Sequence, residues 1–374
     1  MGVLLFFVFY NGYISYYVLL ATLALPWISL LVSLPGVLGL RLKFLVESSD
    51  VTKGEAMPLR LVIDNRLPFV SGRACVTLHT HNSLTGETQE EYFAFTASRK
   101  AMSVVHQLST AHCGQILCQL RKGKVCDYMG IFSFPISLSR CPACRVTVYP
   151  AVYHPELTVE QVFLPSGDGD TYSRSKPGDD PAELFDLREY REGDKIARIH
   201  WKLSQKTGGL LVREFGLPIS DRVLFVLDAN GSGREVDLLL DIFATLSHHL
   251  LSQKLPHRVA FWKGQEQQFI LQKVTGRDTA LPVLEALLKN PRNPEPKTIP
   301  RQLLPAGAAH VLYLCCTPDD GIAASLRQRF PTCRLSVLLA SEDPVSTETD
   351  LPMGIELTAV QPGTVTEALN GFKL

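Results

Sequence analysis

The first forty residues are the longest apolar stretch of the chain. Residues 1–40 contain no Asp, Glu, Lys or Arg, whereas one bilayer crossing needs about 20 apolar residues. Because Asn11-Gly12 is a turn signal, the pattern predicts one spanning helix over residues 13–34 and a transmembrane anchor over residues 1–40. Tyrosines cluster at one end of that helix, as in an interfacial aromatic belt: Tyr10, Tyr13, Tyr16 and Tyr17.

The residues on either side of this helix bear on its topology. The ten residues before the turn are too short to cross a bilayer. They either dip into it or end a longer first helix, so one pass and two passes both fit the pattern. A cleaved signal peptide fits poorly, since there is no basic n-region and the apolar run is too long. Arg41 and Lys43 follow the run directly, which predicts a body that faces the cytoplasm. A buried hairpin of a globular protein is the alternative.

Residues 41–150 show the pattern of an all-β module. Short segments that alternate or run apolar are separated by Gly, Pro, Asn and Ser. The predicted strands are 59–63, 75–79, 92–95, 103–108, 116–120 and 145–149. Their number and spacing predict an antiparallel β-sandwich of immunoglobulin or fibronectin type.

Residues 220–374 change to an α/β pattern. Apolar runs of strand length alternate with segments of helical spacing. Strands are predicted at 223–227, 258–262, 310–316 and 334–340, and helices at 236–250, 279–288 and 323–329. The alternation predicts a parallel sheet covered by helices on both faces. Such sheets bind ligands at the carboxyl ends of their strands.

The composition narrows the class of protein. The 374 residues include 37 basic and 37 acidic residues and 46% hydrophobic residues, which excludes a disordered chain, a coiled coil and a collagen-like repeat. A pI near 7.1 argues against nucleic-acid binding. Nine scattered cysteines suit a reducing compartment. The lone Cys141-Pro-Ala-Cys144 pair has only irregular partners for zinc, namely Cys113, Cys118 and Cys126, so buried thiols are the main alternative.

Residues 151–219 join the two modules and contain a charged segment. Residues 172–215 hold nine basic and eight acidic residues in 44, with large apolar residues between them. Because such apolar groups are usually buried, the neighbouring charges should form paired, hydrogen-bonded networks. The segment is therefore predicted to be ordered against a flanking module, with bidentate Arg–Asp pairs. The interleaved apolar residues are Leu184, Phe185, Leu187, Tyr190, Ile196, Ile199, Trp201, Leu210, Leu211, Val212 and Phe215.

The same segment resembles the bacterial domain-of-unknown-function family fifty-eight. The resemblance rests on the order and spacing of blocks at residues 177–180, 184–194, 198–202, 207–208 and 212–215. Residues 127–132, Asp-Tyr-Met-Gly-Ile-Phe, are similar to that family's Asp-Pro-Phe-Gly-Leu-Phe element. His200 stands where many members have Asp. The signature residues, expected to form a partner surface, are Gly178, Asp179, Asp180, Arg188, Tyr190, Arg191, Gly193, Asp194, Arg198, His200, Trp201, Lys202, Arg213 and Glu214.

The resemblance implies an architecture and a partner. It implies an N-terminal membrane anchor and a C-terminal fold like a von Willebrand factor A domain. Members are often encoded beside MoxR-type AAA+ ATPases and membrane transglutaminase-like proteins. A role in the assembly or maturation of other complexes is proposed for the family, and no enzymatic reaction is established.

An A-type domain can bind Mg²⁺ at the carboxyl end of its sheet. It uses an Asp-x-Ser-x-Ser loop, a Thr from a second loop and an Asp from a third. Here Asp228, Asn230 and Ser232 follow the first predicted strand of the α/β module, with Thr275 and Asp320 as the second-loop and third-loop candidates. Oxygen ligands of this kind suit a hard cation. Alternatively, Asp228 caps the helix that follows.

The motifs of common enzyme classes are missing from the sequence. It contains no GxSxG elbow, Walker loop, HExxH or dinucleotide-binding glycine fingerprint. We therefore predict a non-enzymatic, membrane-anchored scaffold or adaptor whose partner is a protein such as a MoxR-type AAA+ ATPase. The alternative is a metal-dependent hydrolase or a wall-polymer-binding protein at the cell envelope.

Overall fold

The chain forms two compact units, Met1–Ala151 and Val152–Leu374, each with its own hydrophobic core. The computed structural model describes residues 2–10, 12–46, 48–65, 72–96, 102–138, 141–158, 172–178, 180–191, 194–218, 223–264, 266–289, 304–305, 308–331, 333–343 and 355–374.

The first unit begins with two apolar helices, α1 (Gly2–Phe9) and α2 (Tyr13–Gly39). The buried residues of α2 are serines and glycines, whereas most of its large apolar side chains are exposed. A soluble amphipathic helix shows the opposite arrangement, with its apolar face buried. α2 is long and apolar enough to cross a membrane, a property that a signal sequence near the N-terminus shares. It ends later than predicted, at Gly39, with Pro26 and Pro35 inside it.

The rest of the first unit consists of β-strands. They are β1 (Leu40–Val46), β2 (Asp50–Thr52), β3 (Met57–Asn65), β4 (Arg73–Asn82), β5 (Thr88–Thr96), β6 (Met102–Leu108), β7 (Gly114–Cys126), β8 (Ser133–Pro135) and β9 (Cys144–Tyr149). One sheet has the order β1-β3-β6. The other has the order β2-β9-β7-β4-β5, with β8 paired to β7. The β2–β9 pair is parallel, and the other described pairs of this unit are antiparallel.

Alternating side chains from the two sheets make one core. In β3, Leu59 and Leu61 are buried while Arg60 between them is exposed, as a strand with one buried face requires. These leucines share a core with Val76 and Val146 of the other sheet. All six predicted strands of this unit are confirmed. The additional strands lacked a signal, because β1 continues directly from α2 and β2 and β8 are only three residues long.

The charged segment of the second unit is folded, as its interleaved apolar residues predict. It contains β10 (Tyr172–Gly178), β11 (Asp180–Glu189) and β12 (Leu211–Pro218), in the order β10-β12-β11 with antiparallel pairing. A short 3-10 helix (Ile196–Arg198) and α3 (Trp201–Thr207) connect β11 to β12.

A six-stranded sheet forms the remainder of the second unit. Its elements are β13 (Val223–Asp228), α4 (Gly233–Ser252), β14 (His257–Lys263), β15 (Gln268–Val274), α5 (Arg277–Lys289), β16 (His310–Cys315), α6 (Asp320–Arg329), β17 (Arg334–Ala340), β18 (Glu356–Val360) and α7 (Val365–Leu369). The order is β15-β14-β13-β16-β17-β18. The predicted strands and helices are confirmed, but the sheet is mixed and not wholly parallel, because β15 turns back antiparallel to β14.

The strand order places a topological switch point beside Asp228. From β13 the chain first moves to β14 on one side and later returns to β16 on the other. In open α/β sheets ligands bind at such a switch point, outside the carboxyl ends of the strands. Asp228 is the last residue of β13, all of whose side chains are buried. A rigid strand therefore holds Asp228 at this edge.

Candidate functional site

An ion-pair network joins β11, β12 and the turn after β11. The Arg188 guanidinium donates to both Asp194 oxygens, Nη1 to Oδ2 and Nη2 to Oδ1, each at 2.7 Å. Its Nε donates to Glu214 Oε1 at 2.7 Å. The bonds from Arg188, followed by one from the Arg191 backbone N–H, lower the pKa of Asp194 to about 2. The bonds to Asp194 and to Glu214 raise the pKa of Arg188. The predicted bidentate pair is confirmed, and it fixes geometry as well as charge.

The chain between these strands folds back onto β12. The His200 backbone N–H donates to the Leu211 carbonyl at 2.8 Å, and Ile199 pairs with Val212 as an isolated bridge. Ile199 and Val212 are buried. His200 also caps α3, because its Nδ1 accepts from the Leu203 N–H at 3.3 Å. Both ends of the connection are thus held in place.

Three large apolar side chains of this connection are exposed. Ile196 is 66% exposed, Trp201 55% and Leu210 46%. The sequence predicts burial of these residues, so the prediction is wrong for them, although it is confirmed for Ile199 and Val212. The core of so small a sheet has room for only part of the apolar set. We call the three side chains, together with the Arg188–Asp194–Glu214 network, the signature surface.

The other signature residues differ in their exposure. Tyr190 and Arg198 are half-buried, and Arg191, Lys202 and Arg213 are exposed. Gly178 in β10 lies opposite Phe215, and Asp180 opens β11 opposite Gly216. Asp179, Gly193 and the side chain of Asp180 lie outside the described residues.

Asp228 lies at the carboxyl end of β13, a central strand of the larger sheet. Its Oδ1 accepts from the Asn230 backbone N–H at 3.3 Å and from Nδ2 of the same residue at 2.5 Å. Its Oδ2 accepts from the Tyr313 hydroxyl at 3.2 Å. Burial, and the negative charge of Asp319, raise the pKa of Asp228 more than these hydrogen bonds lower it.

The Asp228 loop is closely packed against the end of β16. A Cβ on Gly231 would lie 2.4 Å from Cβ of Cys316, so the loop requires glycine there. The Thr317 hydroxyl donates to the Asn230 carbonyl at 3.3 Å. Asp319 caps α6 by accepting from the Gly321 N–H at 2.8 Å.

The predicted magnesium ligands come from three segments of the chain. Asp228, Asn230 and Ser232 share one loop, but Ser232 Oγ accepts from the Glu235 N–H at 3.1 Å as the cap of α4. Ser232, and not Asp228, therefore caps that helix. The Asp320 side chain lies outside the described residues.

Thr275 lies at the opposite edge of the sheet. Val223, at the start of β13, is level with His257 and Val274. Thr275 is therefore about 20 Å from Asp228, at about 3.3 Å per residue, and the prediction that it joins the loop is wrong. No group of three or more His, Cys, Asp or Glu suited to a metal ion occurs in the described part of the chain. Both Asp228 oxygens accept protein hydrogen bonds, and the magnesium site stays a prediction for the residues that follow β13.

Cys144 of the CxxC pair has a third thiol, that of Cys118, opposite it on the neighbouring strand. The nine cysteines are free thiols, and Cys118 lies opposite Cys144 in antiparallel register. The hydrogen bond between them raises the pKa of Cys118 and lowers that of Cys144. The arrangement is a thiol pair on neighbouring strands and not the two CxxC pairs of a zinc site.

Sequence reasoning missed Tyr313 as the partner of Asp228. Tyr313 is fully buried in β16, a strand that is otherwise aliphatic at its centre. A buried tyrosine hydroxyl usually needs a hydrogen-bond partner. A tyrosine in an otherwise apolar strand was therefore the signal in the sequence that could have indicated a buried hydrogen-bond acceptor nearby.

Replacing Tyr313 by Phe is expected to lower the free energy of unfolding by about 1–3 kcal/mol, because the buried Asp228 carboxylate loses a donor. An Asp whose pKa is raised on folding stabilises the protein less as pH rises through the folded pKa. The deficit of the variant should therefore be larger at neutral pH than at about pH 3, which lies below the ordinary pKa of an Asp and favours the protonated carboxyl. Urea denaturation at both pH values checks this, with the exposed Tyr92→Phe as control. Equal deficits at the two pH values would count against the assigned bond.

Comparisons with known proteins give only local similarities. No protein-family model matches the sequence, and no curated protein matches it. The CARDB domain of a Pyrococcus furiosus protein, crystallised in complex with di-metal ions, is 9% identical; the similarity covers 29% of this chain and 86% of that one, with a TM-score of 0.22.

Two further structures illustrate the diversity of these similarities. A β-glucosidase from Erythrobacter marinus is 11% identical over 29% of this chain and 15% of its own, with a TM-score of 0.21. An alkylpurine DNA glycosylase from Pseudomonas fluorescens, bound to DNA with an abasic site analog, is 11% identical over 33% and 37% of the two chains, with a TM-score of 0.21. The chain thus spans well under half of either enzyme, and similarities this weak assign no function.

Proposed function

We propose that the chain is a membrane-anchored adaptor that binds a protein partner through the signature surface. The observation that carries the proposal is the exposure of Ile196, Trp201 and Leu210 in the connection between β11 and β12, the two strands that the ion-pair network joins. Exposed apolar patches often mark binding surfaces, and Trp often contributes most to the binding energy. A preorganised surface also loses less conformational entropy on binding.

The membrane part of the proposal is supported by α2. Its exposed side chains are mainly apolar and its buried ones small or polar, as in a helix surrounded by lipid on most sides. Arg41 and Lys43 follow at the start of β1, so we place the body on the cytoplasmic side.

We further propose that the chain is related to the domain-of-unknown-function family fifty-eight. In this proposal the first unit is a β-sandwich of immunoglobulin or fibronectin type, supported by two sheets that share one core. The second unit is von Willebrand A-like, supported by Asp228 at the carboxyl end of β13. The partner that follows from this resemblance is a MoxR-type AAA+ ATPase.

Capture of the ATPase by the detergent-solubilised full chain tests this function. Replacing Trp201 by Ala is expected to weaken binding by at least about tenfold, as for a tryptophan that contributes strongly to an interface. The matched control is Tyr92→Ala, since Tyr92 is an exposed aromatic residue of the first unit and is even more exposed than Trp201. Equal binding by wild type and Trp201→Ala would contradict the proposed surface. No binding by the wild type would contradict the proposed partner.

A further inference from the structure

A second exposed apolar group lies in the first unit, in the turn between β7 and β8. Tyr128 is 70% exposed, Met129 51% and Ile131 53%. The turn borders α2, because the Phe132 ring lies 6.2 Å from the ring of Trp27. The turn, with its exposed side chains, therefore lies next to α2.

A buried carboxylate fastens this turn to α2. Asp127 is only 1% exposed, and its Oδ2 accepts from the Ser29 hydroxyl at 2.7 Å. The Met129 N–H donates to the same Ser29 oxygen at 3.3 Å. The backbone at Gly72 packs closely against Asp127, since a Cβ at Gly72 would lie 2.0 Å from the Asp127 carbonyl oxygen. The turn is thus fixed against the second half of α2.

The backbone of the turn is paired internally. Phe132 N–H donates to Asp127 Oδ1 at 2.7 Å and Met129 N–H to Oδ2 at 3.4 Å. Asp127 N–H donates to the Phe132 carbonyl, and Gly130 N–H to that of Asp127. A protein partner or water could satisfy exposed backbone groups, but lipid cannot. The paired backbone groups need no bond from outside the turn, and this favours lipid as the neighbour of its three exposed apolar side chains.

The position of the turn along α2 agrees with the edge of a bilayer. Tyr13 and Ser29 are about 24 Å apart along a helix that rises 1.5 Å per residue, and a hydrocarbon core is about 30 Å thick. Tyr13 marks one end of this stretch. Trp27 and Tyr128 lie at the other end, and Trp and Tyr are enriched where the bilayer meets water.

From these observations we propose that the 127–132 turn inserts its apolar side chains into the interfacial layer of the bilayer beside α2. The Ser29–Asp127 contact then sets the depth and orientation of the first unit at the membrane. This inference rests on the proposed role of α2 as a membrane anchor. The ligand is the lipid surface, contacted by Tyr128, Met129 and Ile131.

Photo-crosslinking of the full chain in vesicles of phosphatidylethanolamine and phosphatidylglycerol tests the inference. The photoreactive p-benzoylphenylalanine replaces Tyr128, or Tyr92 as the matched exposed control, or Tyr17 on α2 as the anchor control. Tyr92 is 73% exposed and Tyr17 64%. We expect a mass shift of one phospholipid at positions 128 and 17 and none at position 92.

The outcomes separate the inference from the proposed anchor. Lipid adducts at position 17 without any at position 128 would overturn the insertion of the turn and leave the anchor intact. A lack of adducts at position 17 would overturn the anchor, and with it this inference. Adducts at position 92 equal to those at 128 would mean that contact with lipid is not specific to the turn, and would also overturn it.

Discussion

Replacing Phe243 by Ala is expected to lower the free energy of unfolding of the second unit by about 3–5 kcal/mol, the usual cost of truncating a fully buried aromatic side chain. Phe243 lies in α4 and packs edge-on against Phe225 of β13, with ring centroids 5.4 Å apart. Its loss leaves a cavity between the helix and the strand that ends at Asp228.

The free thiols allow this effect to be measured unit by unit. Cys315 and Cys333 are buried in the second unit and Cys118 in the first. Alkylation of each thiol across a urea series should show an earlier midpoint for Cys315 and Cys333 in the variant, by about 1–2 M for a typical denaturant slope. Cys118 should be unchanged. An unshifted Cys315 midpoint would contradict the assigned packing. Leu281→Ala, on the exposed part of α5, is the control.

Replacing Asp127 by Ala is expected to destabilise the first unit by about 3 kcal/mol, because the N–H groups of Phe132 and Met129 and the Ser29 hydroxyl lose a charged acceptor. Burial alone raises the pKa of Asp127, but the hydrogen bonds from Ser29 and from the backbone outweigh it and leave the pKa below its ordinary value. A lowered folded pKa contributes stability above the unfolded pKa, and that contribution is lost as pH falls through the folded value.

Hydrogen exchange of the β7 amides tests both parts of this expectation. At neutral pH the variant should exchange faster than the wild type. The difference should shrink below about pH 4, where the wild-type carboxyl begins to protonate. The second unit serves as internal reference, since its amides should be unaffected. A difference that is independent of pH would show that the ionised carboxylate is not the stabilising form.

Much of the fold follows from local patterns in the sequence. Alternation in β3 and the apolar run of β13 each predict a strand, because the buried face of a sheet repeats every second residue and a doubly covered strand is apolar throughout. Strand direction was not accessible in this way. β15 was not predicted from the sequence. Its antiparallel pairing with β14 carries the chain back to the other edge of the sheet, which is why the prediction for Thr275 was wrong.

At the candidate site, the sequence predicted the pairing of the charges better than it predicted which apolar residues are exposed. The density of Arg and Asp predicted bidentate Arg–Asp pairs without naming the partners, since charges near buried apolar groups need partners, and Arg188–Asp194 is such a pair. Which apolar residues stay outside depends on how much core a three-stranded sheet can provide, and the exposure of Trp201 therefore did not follow from its type. The Ser29–Asp127 bond joins residues far apart in the chain. No local sequence pattern indicates such a contact, so it could not be predicted.

The most direct test of the central claim compares the affinity of the full chain for the MoxR-type ATPase after Arg188→Lys and after Arg329→Lys. Both changes keep the positive charge, but Arg188 uses its planar fork to hold two carboxylates, and Lys cannot reproduce that geometry. If the rigid network presents the signature surface, Arg188→Lys weakens binding while Arg329→Lys, at an exposed position of α6 outside that surface, does not. Wild-type affinity in both variants would contradict the claim.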